Sequence, residues 1–126
     1  MVADDGTADT DMLLTTRVSE RPRCTVVAVD GELDMSTAGE LTQVLTAAID
    51  AGETNVVLDL ASLDFCDSAG LAVMVGAHNR LDALGRRIVV AAPTEAVARV
   101  LDLSGVSQVI PMMTDLDEAC AMVTNG

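Results

Sequence analysis

The sequence predicts a single α/β domain, and three observations support this fold class. Two strand-like stretches, at 13–19 and 24–30, follow one another and are joined by a turn-like link at 20–23. Helical and strand-like patterns then alternate three times, which is typical of a sheet covered by helices. The chain has 126 residues, of which 50% are hydrophobic, and this is enough for one hydrophobic core.

The first half of the domain is expected to hold the two strands, one helix and a third strand. Gly31 is expected to end the second strand. Thr37 and Glu40 have the S/T-x-x-E spacing of a capping box, in which each side chain satisfies the free backbone N–H of the other. The helix that begins there should end at Gly52. The continuous apolar run at 55–60 predicts a strand buried on both faces.

The second half is expected to hold three helices and two short strands. The predicted elements are, in order, a helix at 68–84, a strand at 88–91, a helix at 94–103, a strand at 108–111 and a helix that opens at Thr114. Gly85 and Gly105 follow the ends of the first two of these helices. The last helix is expected to turn the following side chains toward the core: Leu116, Ala119, Cys120 and Val123.

The N-terminus differs in composition from the rest of the chain. Residues 1–11 are acidic and polar, and we expect a flexible tail there, with the domain at 12–126. This segment is the reverse of a secretory signal, which has a basic start and an apolar centre. No apolar run approaches the roughly 18 residues of a membrane-spanning helix. A cytoplasmic protein without a membrane partner is therefore expected.

The charge and the aromatic content exclude a further class of function. The net charge is −13, the seven basic residues are all Arg, and Phe65 is the only aromatic residue. Nucleic-acid backbones would repel such a chain, and stacking on bases would lack aromatic side chains. We therefore expect no nucleic-acid partner and favour a basic protein partner.

The sequence also lacks the parts of the common enzymes. His78 is the only histidine, and it falls inside a predicted helix, so neither a metal pair nor a histidine-based triad is indicated. There is no G-x-G-x-x-G, no G-x-x-x-x-G-K-[ST] and no G-x-S-x-G. A protein that is not an enzyme, with no cofactor and no metal, is predicted.

Two acidic turns stand out against this background. Asp67 and Ser68 lie at the start of the apolar helix, and they can simply cap it. Alternatively, Ser68 in the first turn can accept a phosphate at the positive end of the helix dipole. Asp34 also follows a strand. Because the carboxyl ends of neighbouring strands meet at one edge of an α/β sheet, these two turns can share a surface.

Five motifs follow one another in order along residues 13–123. They are Gly31-Glu32-Leu33-Asp34 with Thr37 after it, the strand VVLDL followed by Leu63-Asp64-Phe65, the turn Asp67-Ser68-x-Gly70-Leu71, Val89-Val90 leading to Pro93, and the segment VLDLSGV at 100–106. With these motifs the chain resembles the anti-sigma factor antagonists of the bacterial STAS-domain family. The resemblance implies a single STAS domain, with a small mixed sheet of four to five strands and about four helices.

The resemblance also implies a function. Such proteins bind an anti-sigma factor that is itself a serine kinase of the histidine-kinase-like ATPase class, and they thereby release the sigma factor. The kinase phosphorylates the serine that corresponds to Ser68, and a PP2C-type phosphatase reverses this. The residues predicted to contact the partner are Asp34, Ser36, Thr37, Asp67, Ser68, Ala69, Gly70 and Met74.

Two departures from the family pattern leave alternatives open. Ala69 replaces a frequent second serine, which makes Ser68 the only hydroxyl in the turn, and Cys66 replaces a frequent apolar residue such as Met. Cys66 can be a packing residue, or it can pair with Cys24 or Cys120 in a redox-controlled antagonist. A constitutive STAS scaffold, or a ligand-binding accessory subunit, is the other alternative.

Overall fold

A computed structural model describes residues 13–52 and 54–125. The acidic tail predicted at 1–11 lies outside the described residues. The elements are β1 (Leu14–Arg21), β2 (Cys24–Leu33), α1 (Ala38–Ala51), β3 (Asn55–Asp59), β4 (Leu63–Cys66), α2 (Ser68–Ala83), β5 (Ile88–Ala91), α3 (Glu95–Ser104), a 3₁₀ helix (Val106–Gln108), β6 (Met112–Met113) and α4 (Leu116–Asn125). The α/β class predicted from the alternating pattern is confirmed.

The strands form one mixed sheet in the order β1-β2-β3-β5-β6. β1 is antiparallel to β2, and the other neighbours are parallel. β4 lies beside the last residues of β2, where Leu33 pairs with Cys66. The described part of the chain thus has six strands rather than four to five, because the short β4 was not predicted.

The core has two parts because helices cover both faces of the sheet. Successive strand side chains point to opposite faces, so Val27 and Val29 join one cluster while Val26 joins the other. The larger cluster packs under α1, α2 and α3, and the smaller one packs under α4 through Ala119 and Val123. Burial on both faces explains why β3 and β5 are continuous apolar runs.

Gly31 does not end β2, which continues to Leu33. The pairing with β4 shifts between Gly31 and Glu32, so the strand contains an irregularity rather than a stop. Gly31 has a positive φ of 109°, and a Cβ there would overlap the carbonyl oxygen of Leu13. Glycine is therefore required for the close approach of β1 to β2, and the sequence signal was interpreted wrongly as a strand end.

Three further predictions of local structure were wrong. Thr37 is at the N-cap of α1, but its side chain makes no cap hydrogen bond, so the capping box with Glu40 does not form. Residues 106–108 form a 3₁₀ helix and the last strand is Met112–Met113, later than the strand predicted at 108–111. The carboxylate of Asp115, not Thr114, accepts the N–H of Glu118 at 2.7 Å at the start of α4.

Other predicted boundaries are confirmed. The Thr94 hydroxyl accepts the Val97 N–H at 3.2 Å at the start of α3, and Gly105 closes that helix with a φ of 89°. β5 covers the predicted residues 88–91. Among the described residues, no helix is long and apolar enough to cross a membrane.

Candidate functional site

Two turns that the sequence singled out lie side by side at one end of the sheet. Asp34 follows β2 and Asp67 follows β4, and these two strands are parallel neighbours. The Asp67 N–H donates to the Leu33 carbonyl oxygen at 3.1 Å, which ties the two turns together. The expectation that these turns share one surface is confirmed.

Asp67 caps α2. Its backbone is extended, and its carboxylate oxygen Oδ1 accepts the N–H groups of Ala69 at 2.9 Å and Gly70 at 3.2 Å. Ser68 is therefore the first residue of the helix, and its side chain is exposed. The turn presents an exposed hydroxyl at the positive end of the α2 dipole.

Gly70 lets α2 approach β2 and β4 closely. A Cβ at Gly70 would lie 2.7 Å from Leu33 Cγ and 2.8 Å from Cys66 Sγ. Cys66 is buried, and its Sγ lies 3.6 Å from the Asp67 carbonyl oxygen. Burial, with a smaller contribution from the Asp67 charge, raises the pKa of the Cys66 thiol to about 11. Cys66 is thus a protonated packing residue beneath the turn.

The Asp34 carboxylate is held by hydrogen bonds from its own turn. Oδ1 accepts the Ser36 hydroxyl at 2.7 Å and the Ser36 N–H at 2.9 Å. These bonds, with smaller contributions from Thr37, hold the pKa of Asp34 below its ordinary value. Asp34 therefore stays charged at neutral pH and presents a fixed negative charge beside α2.

Thr37 shapes this turn from inside the protein. It is 2% exposed, and its hydroxyl accepts the Asp34 N–H at 2.9 Å while it donates to the Glu32 carbonyl oxygen at 2.9 Å. One hydroxyl thus satisfies a donor and an acceptor where the chain leaves β2. Thr37 positions Asp34, and its burial excludes the direct partner contact that was predicted for it.

Met74 does not contribute to the surface at all. It is 0% exposed and packs in the larger core cluster. The prediction that Met74 contacts a partner was wrong, because this face of α2 points into the domain. Gly70 is also buried, and it acts through the close packing described above. Asp34, Ser36, Asp67, Ser68 and Ala69 remain accessible, wholly or in part.

Two exposed apolar side chains at this end of the sheet were missed. Met35 is 83% exposed in the turn after β2, and Phe65 is 49% exposed on β4. Phe65 belongs to one of the five motifs, and Met35 directly follows another. The sequence signal that could have identified them is an apolar residue close to a charged residue of the turn. We call the set Asp34, Met35, Ser36, Phe65, Asp67 and Ser68 the Ser68 surface.

The surroundings of the Ser68 surface are acidic. Glu32 near the end of β2 and Asp64 on β4 are also exposed, and they add to the charges of Asp34 and Asp67 in the two turns. The segments 31–40 and 61–71 contain no Arg or Lys. A groove of about 450 Å³ runs away from this surface between α1 and α2. It is lined by Thr42, Leu45, Thr46, Ile49, Ala72, Val73, Gly76, Ala77 and Arg80.

The cysteines are not arranged as predicted. Cys66 belongs to the larger core cluster, whereas Cys24 and Cys120 belong to the smaller one on the other face of the sheet. Pairing of Cys66 with either of them is therefore wrong, because the sheet separates them. Cys24 and Cys120 instead contact each other, with their Sγ atoms 3.5 Å apart. In the described ranges, no group of three or more His, Cys, Asp or Glu is placed to hold a metal ion.

The fold and the site together define a single mixed-sheet α/β domain with an exposed hydroxyl at one end of the sheet. The STAS domain profile matches residues 15–119, and the chain belongs to the STAS domain family. The resemblance inferred from the five motifs is therefore confirmed.

Relatives and solved structures agree with this assignment. The anti-sigma-B factor antagonist of Staphylococcus epidermidis is 31% identical over 84 residues, which cover 67% of this chain and 78% of that protein. The crystal structure of an anti-sigma factor antagonist from Mycobacterium paratuberculosis superposes with a TM-score of 0.75 at 31% identity, covering 88% of this chain and 94% of that one. SpoIIAA of Bacillus in its phosphorylated form shares the fold, with a TM-score of 0.66, 23% identity and coverages of 86% and 99%.

Proposed function

We propose that this chain is an anti-sigma factor antagonist whose binding is switched off by phosphorylation of Ser68. The partner would be an anti-sigma factor of the histidine-kinase-like ATPase class that acts as the serine kinase, and a PP2C-type phosphatase would restore binding. The single observation that supports this most is the exposed Ser68 hydroxyl directly after the capping Asp67. Relatives named anti-sigma factor antagonist support the antagonist part of this proposal.

The free protein would tolerate a phosphate at Ser68. A phosphoserine adds about −1.5 to −2 charges, and the N-terminus of a helix favours negative charge through its dipole. The Ser68 side chain is exposed, so water would solvate the new charge without any rearrangement of the core. Phosphorylation should therefore leave the fold intact.

The docked protein would not tolerate the same phosphate. Asp34 and Asp67 flank Ser68, and a partner that covers them would exclude the water that screens their charges. Two unit charges about 6 Å apart repel by about 3 kcal/mol at an effective dielectric constant of about 20. In the free protein the same pair repels by only about 0.7 kcal/mol, because water has a dielectric constant of about 80. Docking would therefore add about 2 kcal/mol of repulsion for each pair and weaken binding by about 30-fold, since 1.4 kcal/mol is a factor of about ten.

The charge, the exposed apolar side chains and the groove beside Ser68 indicate what the complementary surface of the partner should be like. The acidic Ser68 surface favours a basic partner surface. Met35 and Phe65 offer apolar anchors of the kind that contribute most to binding when buried. Ala72 and Gly76 follow Ser68 at intervals of one helical turn and line the groove, so a partner docked at Ser68 can continue along it.

The test combines phosphate mapping with calorimetry. The purified chain is incubated with ATP and each candidate anti-sigma kinase, and mass spectrometry locates the phosphate, which we expect at Ser68. We expect Ser68→Ala to bind the kinase like the unmodified protein and Ser68→Asp to lose binding. Ser19→Asp is the matched control, because Ser19 is an exposed residue of β1 paired with Val26, toward the opposite end of β2. Equal affinities of the two Ser68 variants would refute the switch.

A further inference from the structure

The Cys24–Cys120 contact joins β2 to α4, two elements that also meet in the smaller core cluster. Cys24 is the first residue of β2 and is 1% exposed, whereas Cys120 lies on α4 and is partly exposed. Their Sγ atoms are 3.5 Å apart, and the residues are 96 positions apart in the chain. A disulfide has an S–S bond of about 2.05 Å, so the sulfur atoms need to approach by about 1.5 Å.

We propose that Cys24 and Cys120 form a redox site, in which a hydroperoxide oxidises the two thiols to a disulfide that joins β2 to α4. The inference is independent of the function proposed above. Both residues are free thiols in the structure, so this is the reduced form of the pair. Because α4 is the helix that covers the second face of the sheet, the bond would fix this layer covalently.

The exposure of the two thiols assigns their roles. Cys120 is reached by the peroxide first, because Cys24 is fully covered. The Cys120 thiolate attacks one peroxide oxygen and the O–O bond breaks, which gives a sulfenic acid and water. The Cys24 thiolate then attacks the sulfenic sulfur, the S–S bond forms, the S–O bond breaks, and a second water leaves. Two thiols and one hydrogen peroxide thus give one disulfide and two waters, with two electrons passed to the peroxide.

The second step is expected to be slow at neutral pH. Burial, together with the contact to Cys120, raises the pKa of the Cys24 thiol to about 11. Only the thiolate attacks, so closure of the disulfide should accelerate as the pH rises toward that value. The pair would therefore respond to sustained oxidation rather than to a brief pulse.

Oxidation should stabilise the fold without changing the Ser68 surface. Cys24 and Leu33 are the first and last residues of β2, and a strand of this length places them about 30 Å apart. The disulfide would close a loop of nearly the whole domain, which restricts the unfolded chain strongly. We expect the melting temperature to rise on the order of 10 °C on oxidation.

The experiment treats the full chain with hydrogen peroxide and maps its peptides under non-reducing conditions. The expected result is a Cys24–Cys120 linked peptide, a higher melting temperature, and reversal of both by dithiothreitol. Cys66→Ala should still form the linked peptide and show the same rise in melting temperature on oxidation, whereas Cys120→Ser should lose both. The peptide map of the unmodified chain decides the assignment even if a variant does not fold.

Three outcomes would overturn the proposal. The first is that no disulfide forms, because the cysteines stay as thiols or are oxidised only to sulfenic acid or a higher oxide. The second is a disulfide that includes Cys66, and the third is a disulfide between two chains. A linked peptide without a rise in melting temperature would overturn the stabilising role. If the Ser68 switch fails its own test, the peptide map is unaffected, so the two proposals can fail separately.

Discussion

Replacement of Gly70 by alanine tests whether the N-terminus of α2 packs against β2 and β4 so closely that residue 70 has no room for a Cβ. The new Cβ would lie 2.7 Å from Leu33 Cγ and 2.8 Å from Cys66 Sγ, whereas ordinary carbon contacts are about 3.5–4.0 Å. The neighbours would have to retreat by about 1 Å, and overpacking of this kind costs about 1–3 kcal/mol. Alanine recovers up to about 1 kcal/mol of helix propensity in exchange.

Gly76→Ala is the matched control on the same helix. A Cβ at Gly76 has nothing within 4 Å, so this variant should gain the helix propensity without any overlap. The difference in free energy of unfolding between the two variants therefore isolates the overlap, and we expect Gly70→Ala to be the less stable by about 1–3 kcal/mol. Urea unfolding measures this as a lower midpoint with an unchanged slope.

A second substitution tests the cause. Cys66→Ala removes the sulfur atom that lies 2.8 Å from the new Cβ, so the double variant should lose less stability than the two single changes predict together. Strict additivity would show only that the overlap with Cys66 is not the cause, because the overlap with Leu33 remains. A Gly70→Ala protein as stable as Gly76→Ala would show that α2 is not held closely at this point. In that case the close packing of α2 against β2 and β4 would be refuted.

Two further predictions concern the Asp34 turn. Thr37→Val should lower the free energy of unfolding by about 1–3 kcal/mol, because the Asp34 N–H and the Glu32 carbonyl lose their hydrogen-bond partner. Thr37→Ser keeps the hydroxyl and should therefore retain most of this stability. Equal stability of the two variants in urea unfolding would contradict the role given to the hydroxyl. The pKa of Asp34 is lowered in the folded state from 3.8, so its contribution to stability is present above pH 3.8 and is lost as the pH falls through the folded value. Asp34→Asn should therefore lose less stability than the unmodified protein between pH 5 and pH 3, and parallel pH profiles would contradict this.

The sequence predicted the start of α2 because a helix cap is a local feature. An aspartate with free N–H groups two and three residues later is enough to place it, and the Asp67 hydrogen bonds confirm the prediction. Thr37 has an equally suitable cap pattern, yet its hydroxyl turns back to the Glu32 carbonyl. That choice depends on how β2 ends against β4, which is a tertiary feature that local spacing does not contain.

The errors at Met74 and Gly31 also have physical causes. α2 is apolar on several sides, with Leu71, Val73, Met74 and Val75 in one run, so periodicity did not show which side faces the core. Gly31 is a strong breaker in sequence terms, but here it allows a close contact between β1 and β2 inside a continuing strand. In both cases the deciding contact comes from an element that is distant in the chain.

The charge state of Asp34 limits how a phosphate at Ser68 can act. Two negative groups repel each other strongly in an interface that excludes water. This repulsion is relieved either when one of the groups is protonated or when the partners separate. The hydrogen bonds from Ser36 lower the pKa of Asp34, so protonation of this carboxyl at neutral pH is disfavoured from the outset. A phosphate ionises for the second time near pH 6, so it also remains largely a dianion at pH 7. Separation of the partners is therefore the less costly response, which is the behaviour that a phosphorylation switch requires.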